Sequence, residues 1–161
     1  MRLTLLTGVL ALAASLQPAS AQLIDHKDLS LAAALAIATA ASESCKAQGY
    51  TVSVAVVGRE AQLLVQLRGD GSPPHSIENS YRRAYTALTY RRPSGEVEDR
   101  VRKDPNDQLV NLNNVMAARG GLPIVVGGQT LGAVAVSGSP GGDKDEACAR
   151  AGLDKAADRL K

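Results

Sequence analysis

The chain contains no tryptophan and no phenylalanine, and its only aromatic residues are four tyrosines. A core cannot then rest on large rings, which bury the most area per side chain, and must be assembled from Ala, Val, Leu and Ile. Histidine and cysteine are equally scarce, at two each. No Cys-x-x-Cys, Cys/His cluster, His-x-x-x-His or His-Glu-x-x-His spacing occurs, so the common zinc sites have no support. No serine sits in a nucleophile elbow, and no Gly-Lys-Ser/Thr follows a glycine-rich loop, so serine-hydrolase and P-loop chemistry have none either. An excess of one charge is also missing. Eighteen Lys and Arg stand against 16 Asp and Glu, a formal net charge of +2. That balance argues against nonspecific nucleic-acid binding, which rests on clustered cations releasing counterions.

What is present begins with a processing signal. Met1-Arg2 is a short basic start, Leu3 to Leu16 is apolar, and Ala19-Ser20-Ala21 has the small-residue pattern that signal peptidase reads. The apolar run is too short, and too soon interrupted by Gln17-Pro18, for stable insertion across a membrane. We therefore expect residues 1–21 to be a signal peptide cut after Ala21, and residues 22–161 to form a single domain in the periplasm or outside the cell. Removing the leader takes away Arg2 alone, so the formal charge of +2 less one becomes +1.

Along the mature chain, Leu31, Ala34, Leu35, Ala38, Ala41 and Cys45 recur at helical spacing and mark one apolar stripe. Asp28 or Ser30 is placed to cap that helix and Gly49 to end it. Val52 to Val57 suits a strand buried on both faces, and Leu63 to Leu67 a second strand after a short hairpin. A helix is expected from about Pro74 to Tyr90, with a core stripe of Ile77, Tyr81, Ala84 and Leu88. His75, Asn79, Arg82 and Thr86 fall on its opposite, polar side. Pro93 stops it, and Ser94 is placed to cap a shorter helix. Leu122 to Val126 and Thr130 to Val136 form a second hairpin around Gly127-Gly128. Asp143, Asp145 and Glu146 favour the start of a last helix, where acids offset the dipole. Strands grouped in hairpins point to an α+β domain with an antiparallel sheet. Cys45 and Cys148 either bridge, as an oxidising compartment allows, or pack as small apolar thiols.

The segment from Gly120 resembles the haem-binding GlcG/HbpS family, also described as the haem-degrading or PduO C-terminal-like domain. The family shows GG-x-P, a hairpin, and then G-A-[IV]-[GA]-V-S-G-[AS]-P-G-G-x-x-D-E. Here these are Gly120, Gly121, Pro123, Gly132 to Gly142, Asp145 and Glu146. Val52 to Val57 is similar to the family's first strand, and Arg83-Ala84-Tyr85-Thr86-Ala87 to its K-A-[FY]-T-[AS] helix motif, with Arg83 replacing the usual lysine. The resemblance covers essentially the whole mature chain. It implies a profilin-like fold with a five-stranded antiparallel sheet flanked by helices, assembly into a homo-oligomer, and haem or a related tetrapyrrole as partner and cofactor.

His75, on a loop before the polar stripe, can ligate a haem iron, and Arg82 and Arg83 can pair with propionates. Tyr85 and Tyr81 can stack on a porphyrin or serve as core aromatics. The resemblance places Thr86 at a position that contacts haem. His75 and Thr86 lie about 16 Å apart along a helix, so they cannot both ligate one iron, and imidazole is the better ligand. The loop Ser137 to Gly142 either presents backbone amides to an anion or is a tight turn between strand and helix. His26, near the mature N-terminus, belongs to a segment expected to be flexible. The residues themselves identify no catalytic group, so ligand binding is expected. The resemblance also leaves open an enzyme that degrades haem or acts on a small carboxylic acid, and a purely oligomeric interaction module.

Overall fold

A computed structural model describes residues 23–104 and 106–160. The expected signal peptide lies outside these residues. Helix α1 (Leu31–Ala47) leads into the hairpin of β1 (Ser53–Gly58) and β2 (Leu63–Arg68). Helices α2 (Ser76–Tyr90) and α3 (Ser94–Lys103) follow, with a 3-10 turn at Gln108–Asn111. The hairpin of β3 (Gly121–Val126) and β4 (Gln129–Ser137) precedes α4 (Gly142–Ala156). The α+β class and both hairpins are as the sequence implies.

The two hairpins join through β1 and β4, giving one antiparallel sheet in the order β2-β1-β4-β3. Gly127 and Gly128 turn the second hairpin with φ of 57° and 79°, left-handed values that both central residues of such a turn require. The sheet has four strands among the described residues, not five. The segment before β3 shows why. Its backbone bonds to helix side chains rather than to a strand edge: Met116 N–H to Thr86 Oγ1, Val115 C=O to Arg82, Ala118 C=O to Ser94 Oγ and Arg119 N–H to Glu98 Oε2. A chain that has spent its donors and acceptors this way cannot also build a ladder.

The sheet is covered on both sides. One face presents Val54, Val56, Val134, Val136, Leu122 and Ile124 to α1 and α4. The other presents Ala55, Val57, Ala133 and Ala135 to Ala84 and Ala87 of α2. Small residues dominate this second face, so α2 lies close to the strands. A side chain at Gly121 would strike the Arg83 carbonyl, which makes glycine obligatory there.

Ser30 caps α1, its hydroxyl accepting from Ala33 N–H at 3.2 Å. The buried face of α1 is Ala33, Ala34, Ile37, Ala38, Ala41 and Cys45, whereas Leu31 and Leu35 of the expected stripe are exposed. Alanine stripes let α1 and α4 approach closely, and Cys45 and Cys148 join them in a disulfide with Cα atoms 5.5 Å apart. A core built from alanine and valine gains less per side chain than one of Leu or Phe, so a covalent tie between helices is a useful supplement. Ser94 does not cap α3. Pro93 holds that position, and the Ser94 hydroxyl donates to Ala118 C=O while accepting Gly121 N–H.

Candidate functional site

Helix α2 carries all but one of the expected site residues, with His75 at its head. A hydroxyl seam sets where that head sits. Ser76 Oγ donates to Pro73 C=O at 2.7 Å and lies 2.8 Å from Ser53 Oγ of β1. Since Ser76 has spent its proton, Ser53 is the donor in that pair. One turn on, Ser80 Oγ donates to Ile77 C=O and accepts from Gln66, whose amide also reaches Val54 C=O. These bonds tie the first turns of α2 to β1 and β2. They also correct the expected faces: the helix buries Ser76, Ser80, Ala84, Thr86 and Ala87, while Ile77 is exposed and Tyr81 and Leu88 are only partly covered. The expected polar side put Thr86 outside, and Ser76 and Ser80 were on neither expected stripe. Their hydroxyls go inside because each finds a partner there.

His75 is the residue before this anchored turn. It is exposed, and its imidazole makes no hydrogen bond among the described residues. Both ring nitrogens are therefore available to a ligand on a head whose position is fixed.

The other expected residues are committed to different degrees. Arg82 donates to Val115 C=O at 2.9 Å and faces Glu78 at 3.6 Å from a half-buried position. Arg83 is only 12% exposed and pairs with Asp145 Oδ2 at 2.7 Å while donating to Val136 C=O. Thr86 is fully buried, donating to Arg82 C=O and accepting Met116 N–H, both at 2.8 Å. Arg83 and Thr86 thus hold α2 against α4, β4 and the 115–119 segment, with the Thr86 hydroxyl and Arg83 Nη1 fully engaged. Tyr85 is half-buried, its ring tilted against that of Tyr81 with centroids 6.2 Å apart.

The Ser137 to Gly142 loop resolves as a tight turn that binds the chain's own anion. Asp145, 2% exposed, accepts Ser139 N–H at 3.0 Å with one oxygen and Arg83 with the other. The sequence alone gave Asp145 only a helix-start role. Its place in one motif and that of Arg83 in another hint at the pair, but nothing short of the fold brings them together. Beside it, Glu146 has a buried oxygen without a partner among the described residues, and burial raises its carboxyl above the ordinary glutamate range, partly offset by Arg119 and Arg150. Tyr90 likewise keeps a buried hydroxyl without a partner among the described residues, and burial pushes its phenol up against the opposing pull of Arg100.

Two open clefts lie away from the head of α2. One of about 530 Å³ is lined by Asp25, His26, Lys27, Val126, Gly127 and Gln129. The other, about 290 Å³, lies at the C-terminal end of α2 between Arg59, Tyr85, Leu88 and Arg91. Among the described residues no group of three His, Cys, Asp or Glu side chains could hold a metal ion, and no helix is long and apolar enough to cross a membrane.

The chain is 34% identical to protein GlcG of Escherichia coli strain K12 over 109 residues, covering 68% of this chain and 81% of that protein. A crystal structure of a Streptomyces reticuli HbpS double mutant superposes with a TM-score of 0.80 at 37% identity, covering 88% of this chain and 96% of the other. The crystal structure of the PduOC–haem complex shares the fold, with a TM-score of 0.73 at 21% identity over 80% of this chain and 95% of that one. The profile of a family described as haem degrading protein HbpS-like matches residues 29–154. With that profile spanning nearly every element from α1 to α4, the chain belongs to the HbpS-like haem degrading protein family.

Proposed function

We propose that this protein binds haem or a related tetrapyrrole, with the His75 imidazole as the iron ligand. The observation that carries this is the match to a haem family along residues 29–154. The geometry at the head of α2 fits the group. His75 offers an exposed imidazole without a partner, on a turn fixed by the Ser53–Ser76 bond. Arg82, whose carboxylate partner is 3.6 Å away and well exposed, can exchange Glu78 for a propionate. Tyr85 and Tyr81 offer ring surface to a porphyrin edge, while Arg83 and Thr86 act from beneath by holding the helix. Bound haem supplies an iron whose behaviour follows its axial ligand and surroundings. The chain's part is to orient the ring and present the imidazole.

The protein acts in the periplasm or outside the cell, after loss of residues 1–21. The Cys45–Cys148 bridge supports an oxidising compartment. It works as a homo-oligomer, because a flat porphyrin on an exposed histidine keeps one face in water unless a second copy covers it.

Titration of the purified mature protein with hemin tests the ligand. The expected result is a saturable Soret shift whose wavelength and affinity change in His75→Ala. An unchanged spectrum and affinity in that variant would remove His75 from the site. The family's description supports a second reading, haem degradation. Loss of the Soret band with release of iron under a reductant would favour it over storage or transport.

A further inference from the structure

The cleft at the C-terminal end of α2 shares Tyr85 with the haem reading but adds two arginines, Arg59 and Arg91, that the haem reading does not use. Its wall is Arg59, Glu60 and Ala61 from the β1–β2 turn, Tyr85, Leu88, Thr89 and Arg91 from α2, and Thr130 from β4. Arg59 is fixed in place: its guanidinium donates to Lys27 C=O at 2.7 Å, and it carries no ion pair among the described residues. Arg91 makes no side-chain hydrogen bond or ion pair among them, so its fork is uncommitted. The wall thus carries two cations and one exposed carboxylate, that of Glu60. The negative end of α2 is muted, because the backbone N–H groups of Arg91 and Arg92 cap the Leu88 and Ala87 carbonyls. Between the arginines lie an aromatic ring and a leucine.

We infer that this cleft binds a small arylcarboxylate, its ring against Tyr85 and Leu88 and its carboxylate paired with Arg91 beside Arg59. A planar fork matches a carboxylate in two bonds, and the apolar floor favours an acid that carries a ring over one that does not. The volume of about 290 Å³ sits at the small end of ligand sites and suits a single ring. From His75 to Leu88 the helix rises about 20 Å, so this site is separate from the proposed iron ligand.

Isothermal titration of the purified protein with benzoate tests the site. One saturable binding event is expected, with acetate weaker because it lacks the ring. Arg91→Gly is a clean variant, since Arg91 has φ of 52° and glycine adopts that left-handed backbone without strain. The fold and melting temperature should persist while benzoate affinity falls at least about tenfold, as loss of a charged hydrogen-bond pair predicts. His75→Ala should bind benzoate like the wild type, which separates this site from the haem reading. Absence of benzoate binding, an Arg91→Gly protein that binds unchanged, or phosphate that displaces benzoate with equal affinity would each overturn the inference.

Discussion

Replacing Asp145 by alanine removes one half of the ion pair that links the C-terminal motif to α2. The carboxylate is 2% exposed and its Arg83 partner 12%, with 2.7 Å between the charged atoms. Removing it leaves a guanidinium almost out of water, with Nε already lacking a partner and only Val136 C=O still accepting. It also frees Ser139 N–H at the turn into α4. Breaking one side of a buried pair costs about 3–5 kcal/mol. With a urea m-value of roughly 2 kcal/mol/M, the unfolding midpoint should drop by roughly 1.5–2.5 M. Equilibrium urea unfolding followed by far-UV circular dichroism measures it. The double variant Arg83→Met with Asp145→Leu should recover much of the loss, because an apolar pair of similar bulk carries no stranded charge. An Asp145→Ala protein within about 1 kcal/mol of wild type, or a double variant as unstable as the sum of the singles, would refute the reasoning.

Two further outcomes follow from the same structure. Replacing Cys45 and Cys148 together by alanine opens a loop of sequence separation 103. The chain-entropy model gives an upper value of about 4.7 kcal/mol for a loop that long, and thermal unfolding with and without dithiothreitol should show the wild type falling to the double variant's melting temperature. Glu146→Gln should stabilise the protein at neutral pH. Burial raises the folded-state carboxyl above the ordinary 4.5, so between that value and the raised one the folded chain holds the proton more tightly than the unfolded chain. Wild-type stability then falls as pH rises through that window and is level above it. The variant's advantage should be full above the window and vanish below it, as urea midpoints across pH would report.

The local architecture was legible because it rests on local rules. A valine-rich run gave β1, Gly127-Gly128 gave the second hairpin, and Asp28 or Ser30 marked the start of α1, where the structure shows Ser30 as the cap. The site was legible only as a helix, not as a surface. On α2, hydropathy favoured Ile77 as core and Thr86 as solvent-facing, and the fold reversed both. A hydroxyl goes inside when a neighbour supplies its partner, and the partners of Thr86, Ser76 and Ser80 come from β1, β2 and the 115–119 segment.

What the sequence by itself determined is the order and type of the elements and the family signature, because periodicity, caps and turn residues act over a few positions. Which polar residues are buried and which are exposed was decided only by the tertiary structure. Arg83 and Asp145 lie 62 residues apart, and Cys45 and Cys148 lie 103 apart. The motifs only hint at the first pair, and a chain with two cysteines allows the second without requiring it. Packing α2 on one face of the sheet and α1 with α4 on the other brings both pairs into contact, turns Arg83 and Thr86 inward, and leaves His75 and Arg91 exposed at opposite ends of α2.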